Sequence, residues 1–157
     1  MSEDLRYMRL ALALGRRGQG RTWPNPAVGA VIVKDGIIVG RGWTQPGGRP
    51  HAEPEALKRA GEAARGATLY VTLEPCSHFG KSPPCADAII AAGIARVVAA
   101  IEDPNPEVGG QGHARLRAAG IEVDVGLCKE EAARDHAGHF LRVGEKRPFV
   151  ILKLAVS

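Results

Sequence analysis

The sequence predicts an α/β fold: a three-layer α/β/α sandwich on a mixed five-stranded sheet with an N-terminal hairpin. Three observations point there. Helix-period segments and β-rich runs follow one another in the order α-β-β-α-β-α-β-α-β-α, and strands alternating with helices imply βαβ crossovers. Asp35-Gly36 joins two β-rich runs directly, the two-residue turn of a hairpin. The 157 residues are 45% hydrophobic and 24% charged, which fits one soluble domain with a proper core.

Ser2 caps the first helix, with Glu3 and Asp4 in its opening turn where the helix dipole favours acids. Leu5, Met8 and Leu12 share one face of it, and Gly15 and Gly18 end it. Two prolines then hold Thr22-Trp23-Pro24-Asn25-Pro26 extended and irregular. Asn25 is thereby fixed at the mouth of the next strand; taken alone, such an Asn reads as a turn residue. Residues 27–34 and 37–43 are the hairpin strands, and a Pro/Gly loop leads from them to His51. Ala52, Ala56, Leu57 and Ala60 then carry a helical period, with His51, Glu53 and Pro54 in its first turn, where a proline loses no backbone donor.

Residues 68–73 form a strand that delivers Glu74-Pro75-Cys76 at its C-terminal end, the usual place for chemistry in an open α/β sheet. Pro83-Pro84-Cys85 opens the next helix, with apolar Ala88, Ile89 and Ala92 before Gly93. Residues 96–101 form another strand, and Asp103-Pro104-Asn105-Pro106 follows it on the same face as the cysteines. A helix at 111–119, a strand at 121–125 and a single helix at 129–143 complete the unit. Residues 147–157 read as one more strand, either an edge strand of this sheet or the first piece of a second domain.

No apolar run reaches the roughly 18 residues of a membrane span, and Met-Ser-Glu-Asp-Leu-Arg lacks the apolar core of a signal peptide. The expected location is cytoplasmic, where three cysteines point to ligation or burial rather than disulfides. The net charge of +4 gives mild steering toward an anionic substrate, with a merely basic surface as the plain alternative. At 4% aromatics the chain lacks the stacking residues of a nucleic-acid binder.

Against this frame, His51, Cys76 and Cys85 are three ligands of the kind a tetrahedral zinc takes. A catalytic zinc leaves its fourth position to water, and Glu53, two residues from His51, reaches that position to shuttle protons. The arrangement His51-x-Glu53 followed by Pro75-Cys76 and a second cysteine resembles the motif of the zinc-dependent nucleobase deaminases, except that eight residues separate Cys76 from Cys85 where two are common. A longer loop returns the second thiolate at modest closure entropy. The competing reading is a structural zinc closed by a fourth protein ligand, for which His78 and Cys128 are the candidates. Cys128 reads better as a small buried residue, and His113, His136 and His139 as surface or packing residues on helices.

Pro24-Asn25-Pro26-Ala27-Val28-Gly29, His51-Ala52-Glu53, Thr72-Leu73-Glu74-Pro75-Cys76-Ser77-His78, Pro83-Pro84-Cys85 and Asp103-Pro104-Asn105-Pro106 together resemble the deaminase domain of the RibD family of riboflavin-biosynthesis proteins, of the cytidine deaminase-like superfamily. The long cysteine loop, with Gly80-Lys81 inside it, separates that family from cytidine, guanine and tRNA-adenosine deaminases. The resemblance implies a Zn2+ enzyme over residues 1–146 that removes the 2-amino group of 2,5-diamino-6-ribosylaminopyrimidin-4-one 5′-phosphate. Residues 147–157 then open a C-terminal reductase domain that uses NADPH. By the same carry-over Asn25 holds the pyrimidine, while His78, Lys81, Asp103 and Asn105 contact the ribose phosphate. Thr44 stands where the family often has His, which removes one phosphate contact, and Glu55 stands where Asn or His is more usual. The alternative is a zinc deaminase of another nucleoside, nucleotide or tRNA base. A homo-oligomer is the expected assembly, because sheets of this type expose helical faces that pair.

Overall fold

The computed structural model describes residues 2–156. Helix α1 (Glu3–Gly15) begins where the Ser2 hydroxyl accepts from the Leu5 N–H at 3.3 Å, and it buries Tyr7, Met8, Ala11, Leu12 and Leu14. Strands β1 (Gly29–Lys34) and β2 (Ile37–Trp43) form the hairpin. Asp35 and Gly36 take φ of 50° and 75°, the positive pair that a twist-compatible two-residue turn requires. Strands β3 (Thr68–Val71), β4 (Arg96–Ala99) and β5 (Glu122–Val125) complete a sheet of order β2-β1-β3-β4-β5. β1 is antiparallel to both its neighbours, whereas β3, β4 and β5 run parallel.

The central strands are buried on both faces, so they read as near-continuous apolar runs rather than alternating ones. Helix α1 packs on one face and α2 (Ala52–Ala60) on the other. A side chain at Gly29 would collide with the Ala11 carbonyl of α1, and one at Gly42 with the Ala52 carbonyl of α2. Helices α3 (Cys85–Ala91) and α4 (Gln111–Ala118) continue the α2 layer, and α5 (Lys129–Asp135) joins α1. This is the expected three-layer sandwich.

One expectation needs correction, and one of two alternatives for the last segment falls away. The single helix at 129–143 is two, α5 and α6 (Ala137–Glu145), broken at His136 with φ −96° and ψ 5°. The His136 ring is buried against the end of β3, its Nε2 3.2 Å from the Thr72 hydroxyl, a tertiary anchor that periodicity cannot register. Residues 147–156 pair with no strand, and Val150, Ile151, Leu152, Leu154 and Val156 are exposed. The apolar pattern there has no partner edge among the described residues, and Ser157 lies outside them. Strand ends also run short of expectation. β3 ends at Val71, although the Thr72 and Glu74 N–H groups still donate to the Gly29 and Ile101 carbonyls at 3.1 and 3.0 Å, and the Thr72 hydroxyl accepts from the Gly29 N–H at 3.1 Å.

Candidate active site

Two helix N-termini meet at the C-terminal ends of β3 and β4. The loop after β2 ends at His51, which occupies the N-cap position of α2, and Glu53 lies in the first turn. Because Gly40 and Gly42 carry no side chain, α2 lies directly on β2, and that approach sets the height of its first turn. The chain leaving β3 runs through Glu74-Pro75 to Cys76, whose carbonyl accepts from the Ala86 N–H at 3.0 Å. Pro84 fixes the start of α3, and Cys85 opens it with its backbone N–H 3.2 Å from the Cys76 sulfur.

His51 Nδ1 lies 3.3 Å from the Cys85 sulfur and 3.9 Å from the Cys76 sulfur. A tetrahedral zinc with ordinary Zn–S and Zn–N bonds sets such N···S edges at about 3.6 Å. The three donor atoms lie within 4.8 Å of one another, and among the described residues no fourth His, Cys, Asp or Glu joins them. This soft, three-donor set therefore fits a zinc with one coordination position left open. The hydrogen bond from Cys85 and the facing His51 hold the Cys76 thiol down at about 4, against the effect of burial. Cys85, facing that sulfur and buried, is pushed well above the usual thiol range. Burial, with the Cys76 charge adding to it, pushes the Glu53 carboxyl up to about 7.

Beside these groups lies a cavity of about 350 Å³ lined by Asn25, Arg49, Glu53, His78, Asp103 and Asn105 among others. Asn25 is oriented by its own amide, which donates to the Gly48 carbonyl at 2.8 Å and leaves Oδ1 and one N–H free of that bond. The loop that carries Asp103 and Asn105 is pinned by Glu74, a buried carboxylate between the strand end and Cys76. One oxygen accepts from the N–H groups of Asp103 and Gly110 at 2.9 and 3.0 Å, and the other from Gly112 and His113 at 2.9 and 3.4 Å. Glu74, Glu102 and His113 also converge, but the donors already on both Glu74 oxygens make that group a loop anchor.

Residues 1–101 match the family described as the cytidine and deoxycytidylate deaminase zinc-binding region. The chain belongs to that deaminase family. Within it the chain is of the RibD type. It is 51% identical to the diaminohydroxyphosphoribosylamino-pyrimidine deaminase of Buchnera aphidicola, over 89% of this chain and 95% of that protein. It is 57% identical to the riboflavin biosynthesis protein RibD of Aquifex aeolicus, over 97% of this chain but 43% of that one. The Thermotoga maritima diaminohydroxyphosphoribosylaminopyrimidine deaminase/5-amino-6-(5-phosphoribosylamino)uracil reductase superposes with a TM-score of 0.87 at 47% identity, over 93% of this chain and 42% of that one. The chain thus spans less than half of these two longer relatives.

In this member of the family the structure brings together most of the residues singled out from sequence. His51, Glu53, Cys76, Asn25, His78, Asp103 and Asn105 line the one cavity, with Cys85 against His51. Lys81 is exposed on the 77–84 loop and does not line it. Thr44 is buried and its hydroxyl accepts from the Val28 N–H at 3.0 Å, while Glu55 pairs with Arg59 at 3.5 Å. His113 and His136 are packing residues as expected, both buried. His139 is not: it lines the cavity together with Arg142, which donates to the Pro24 carbonyl at 2.6 Å. Cys128 is only half-buried. Sequence reasoning missed Arg49, Glu74, His139 and Arg142. For Glu74 a signal existed, an acid set between an apolar strand and a candidate ligand; the α6 pair depends on the break at His136.

Proposed function

We propose that this chain hydrolytically deaminates 2,5-diamino-6-ribosylaminopyrimidin-4-one 5′-phosphate, exchanging the 2-amino group for oxygen and releasing ammonia. The observation that carries the reading is Glu53, buried and poised near neutrality, beside the convergent His51, Cys76 and Cys85. The name of the Buchnera relative supports the substrate class.

His51, Cys76 and Cys85 would hold zinc, which as a Lewis acid lowers the pKa of a water from about 16 toward about 7. Glu53 takes the proton of the attacking water as the new C–O bond forms. It delivers that proton to a ring nitrogen, then takes the second proton from the hydroxyl now on the carbon and passes it to the amine, so that the C=O bond forms as the C–N bond breaks and ammonia leaves. Asn25 presents its carbonyl oxygen and one amide hydrogen to the pyrimidine edge. Asp103 and Asn105, held by Glu74, receive the ribose hydroxyls, and His78 lies toward the phosphate end. In a longer relative-like chain, residues 147–157 lead into a reductase domain that uses NADPH.

The test is ammonia release by the zinc-loaded chain given the diaminopyrimidine nucleotide, cytidine or tRNA in separate reactions. Release from the nucleotide alone supports the proposal. Release from cytidine or tRNA instead would move the activity to another branch of the family.

A further inference from the structure

Arg49 occupies a position that the roles assigned so far leave unused. It lies two residues before His51, lines the cavity and is half-buried. Its Nη1 donates to the Ser82 hydroxyl at 2.5 Å, and a Cβ on Gly80 would come within 3.2 Å of its Nη2. The guanidinium is therefore laid across the backbone of the 80–82 segment.

Charge balance sets it apart from five arginines elsewhere on the surface. Arg16, Arg59, Arg96, Arg115 and Arg147 each face a carboxylate. Arg49 has no carboxylate partner among the described residues, and the bond to Ser82 uses one of its five N–H groups. Of the two arginines lining the cavity, Arg142 is held by the Pro24 carbonyl on the α6 side, away from this loop. A guanidinium with no carboxylate partner and with free donors, held at the solvent-facing edge of a small-molecule cavity, is placed to meet an anionic oxygen, and its planar fork suits a phosphate monoester. Lys81, expected at the phosphate, lies outside the cavity lining, and Thr44, which stands where the family often has a phosphate-contacting His, has its hydroxyl taken by the Val28 N–H.

We propose that Arg49, tethered by Ser82, is the phosphate-binding residue of this site and makes it selective for the 5′-phosphorylated substrate over the unphosphorylated nucleoside. The inference rests on the deaminase reading above and names the group that recognises one end of its substrate.

The experiment measures ammonia release from the diaminopyrimidine nucleotide and from its dephosphorylated nucleoside, with zinc content checked in every sample. Arg49→Ala is expected to raise KM for the nucleotide at least tenfold and to leave KM for the nucleoside and the zinc content unchanged. Ser82→Ala keeps the charge and removes the tether, so it is expected to raise the nucleotide KM by less. Arg49→Gln, which preserves the packing over Gly80, should reproduce the Arg49→Ala split even where the alanine variant folds poorly. Equal changes for both substrates, or none for the nucleotide, would overturn the proposal and leave Arg49 as a clamp between loops. Calorimetric titration with ribose 5-phosphate and with ribose separates this from failure of the deaminase reading. Wild-type chain that releases no ammonia but binds ribose 5-phosphate, and loses that binding in Arg49→Gln, supports Arg49 while refuting the reaction.

Discussion

At the scale of single residues, two kinds of role share one cavity. In the proposed reaction Glu53 would move protons, whereas Cys85 would hold the metal. Glu53→Gln is therefore expected to lower kcat by about 10²- to 10⁴-fold with zinc retained, and Cys85→Ser to lose zinc together with activity. Metal analysis of both variants alongside ammonia release checks the contrast. The convergence of His51, Cys76 and Cys85 was legible because ligand chemistry is written in residue type, and these three suggest a metal before any geometry is known. His136 was not legible. Its ring is buried under the end of β3, and burial, with His139 beside it, pushes it down to about 4. An unfolded chain takes up that proton near the ordinary value of about 6.5, so the unfolded state binds more protons between these limits. Stability from this group is thus fully present above about pH 6.5 and is lost as pH falls toward 4, by on the order of 3 kcal/mol. Thermal unfolding across that range should show a flatter pH dependence in His136→Gln than in the wild type.

At the scale of elements, function depends on how closely loops and helices are allowed to approach. The 102–112 loop has little apolar burial of its own and takes its shape from four backbone N–H groups gathered on Glu74. Gly112 lets it come in, since a side chain there would collide with the Pro75 carbonyl. Glu74→Gln replaces one acceptor oxygen with an amide that faces donors, which costs about 1–3 kcal/mol where it is buried. Because Asp103 and Asn105 ride on this loop, the expected result is a KM for the nucleotide raised about tenfold with zinc content unchanged. Steady-state kinetics with metal analysis decides between that and a plain loss of folded protein. The hairpin, α1 and the α2 start were readable in advance, since Asp35-Gly36, Ser2 and the His51 to Ala60 period are local signals. The break between α5 and α6 was hidden because it serves a contact 64 residues away in sequence. The missed cavity residues His139 and Arg142 follow from that break.

At the scale of the whole molecule, the parallel part of the sheet does the assembling. β3 and β4 lie side by side, so the segments leaving their C-terminal ends, with Cys76 on one and Asp103 on the other, emerge on one face. α2, crossing from the hairpin, brings His51 and Glu53 to the same place from about 25 residues upstream in sequence. Fold class and topology could be read from the order of elements because crossover rules leave few alternatives. For the final segment only the edge-strand alternative is excluded: residues 147–156 have the composition of a strand but pair with no edge of this sheet. Sequence pattern reports what a segment can form, and only a partner decides whether it does.

The claim on which the rest depends is a zinc held by one imidazole and two thiolates with one position open to solvent. Zinc X-ray absorption on the stoichiometrically loaded chain tests it most directly. The expected result is two sulfurs at about 2.3 Å and two lighter ligands at about 2.0–2.1 Å, of which only one is a histidine. A third sulfur or a second imidazole in the zinc shell, or failure to retain one zinc per chain, would contradict the account.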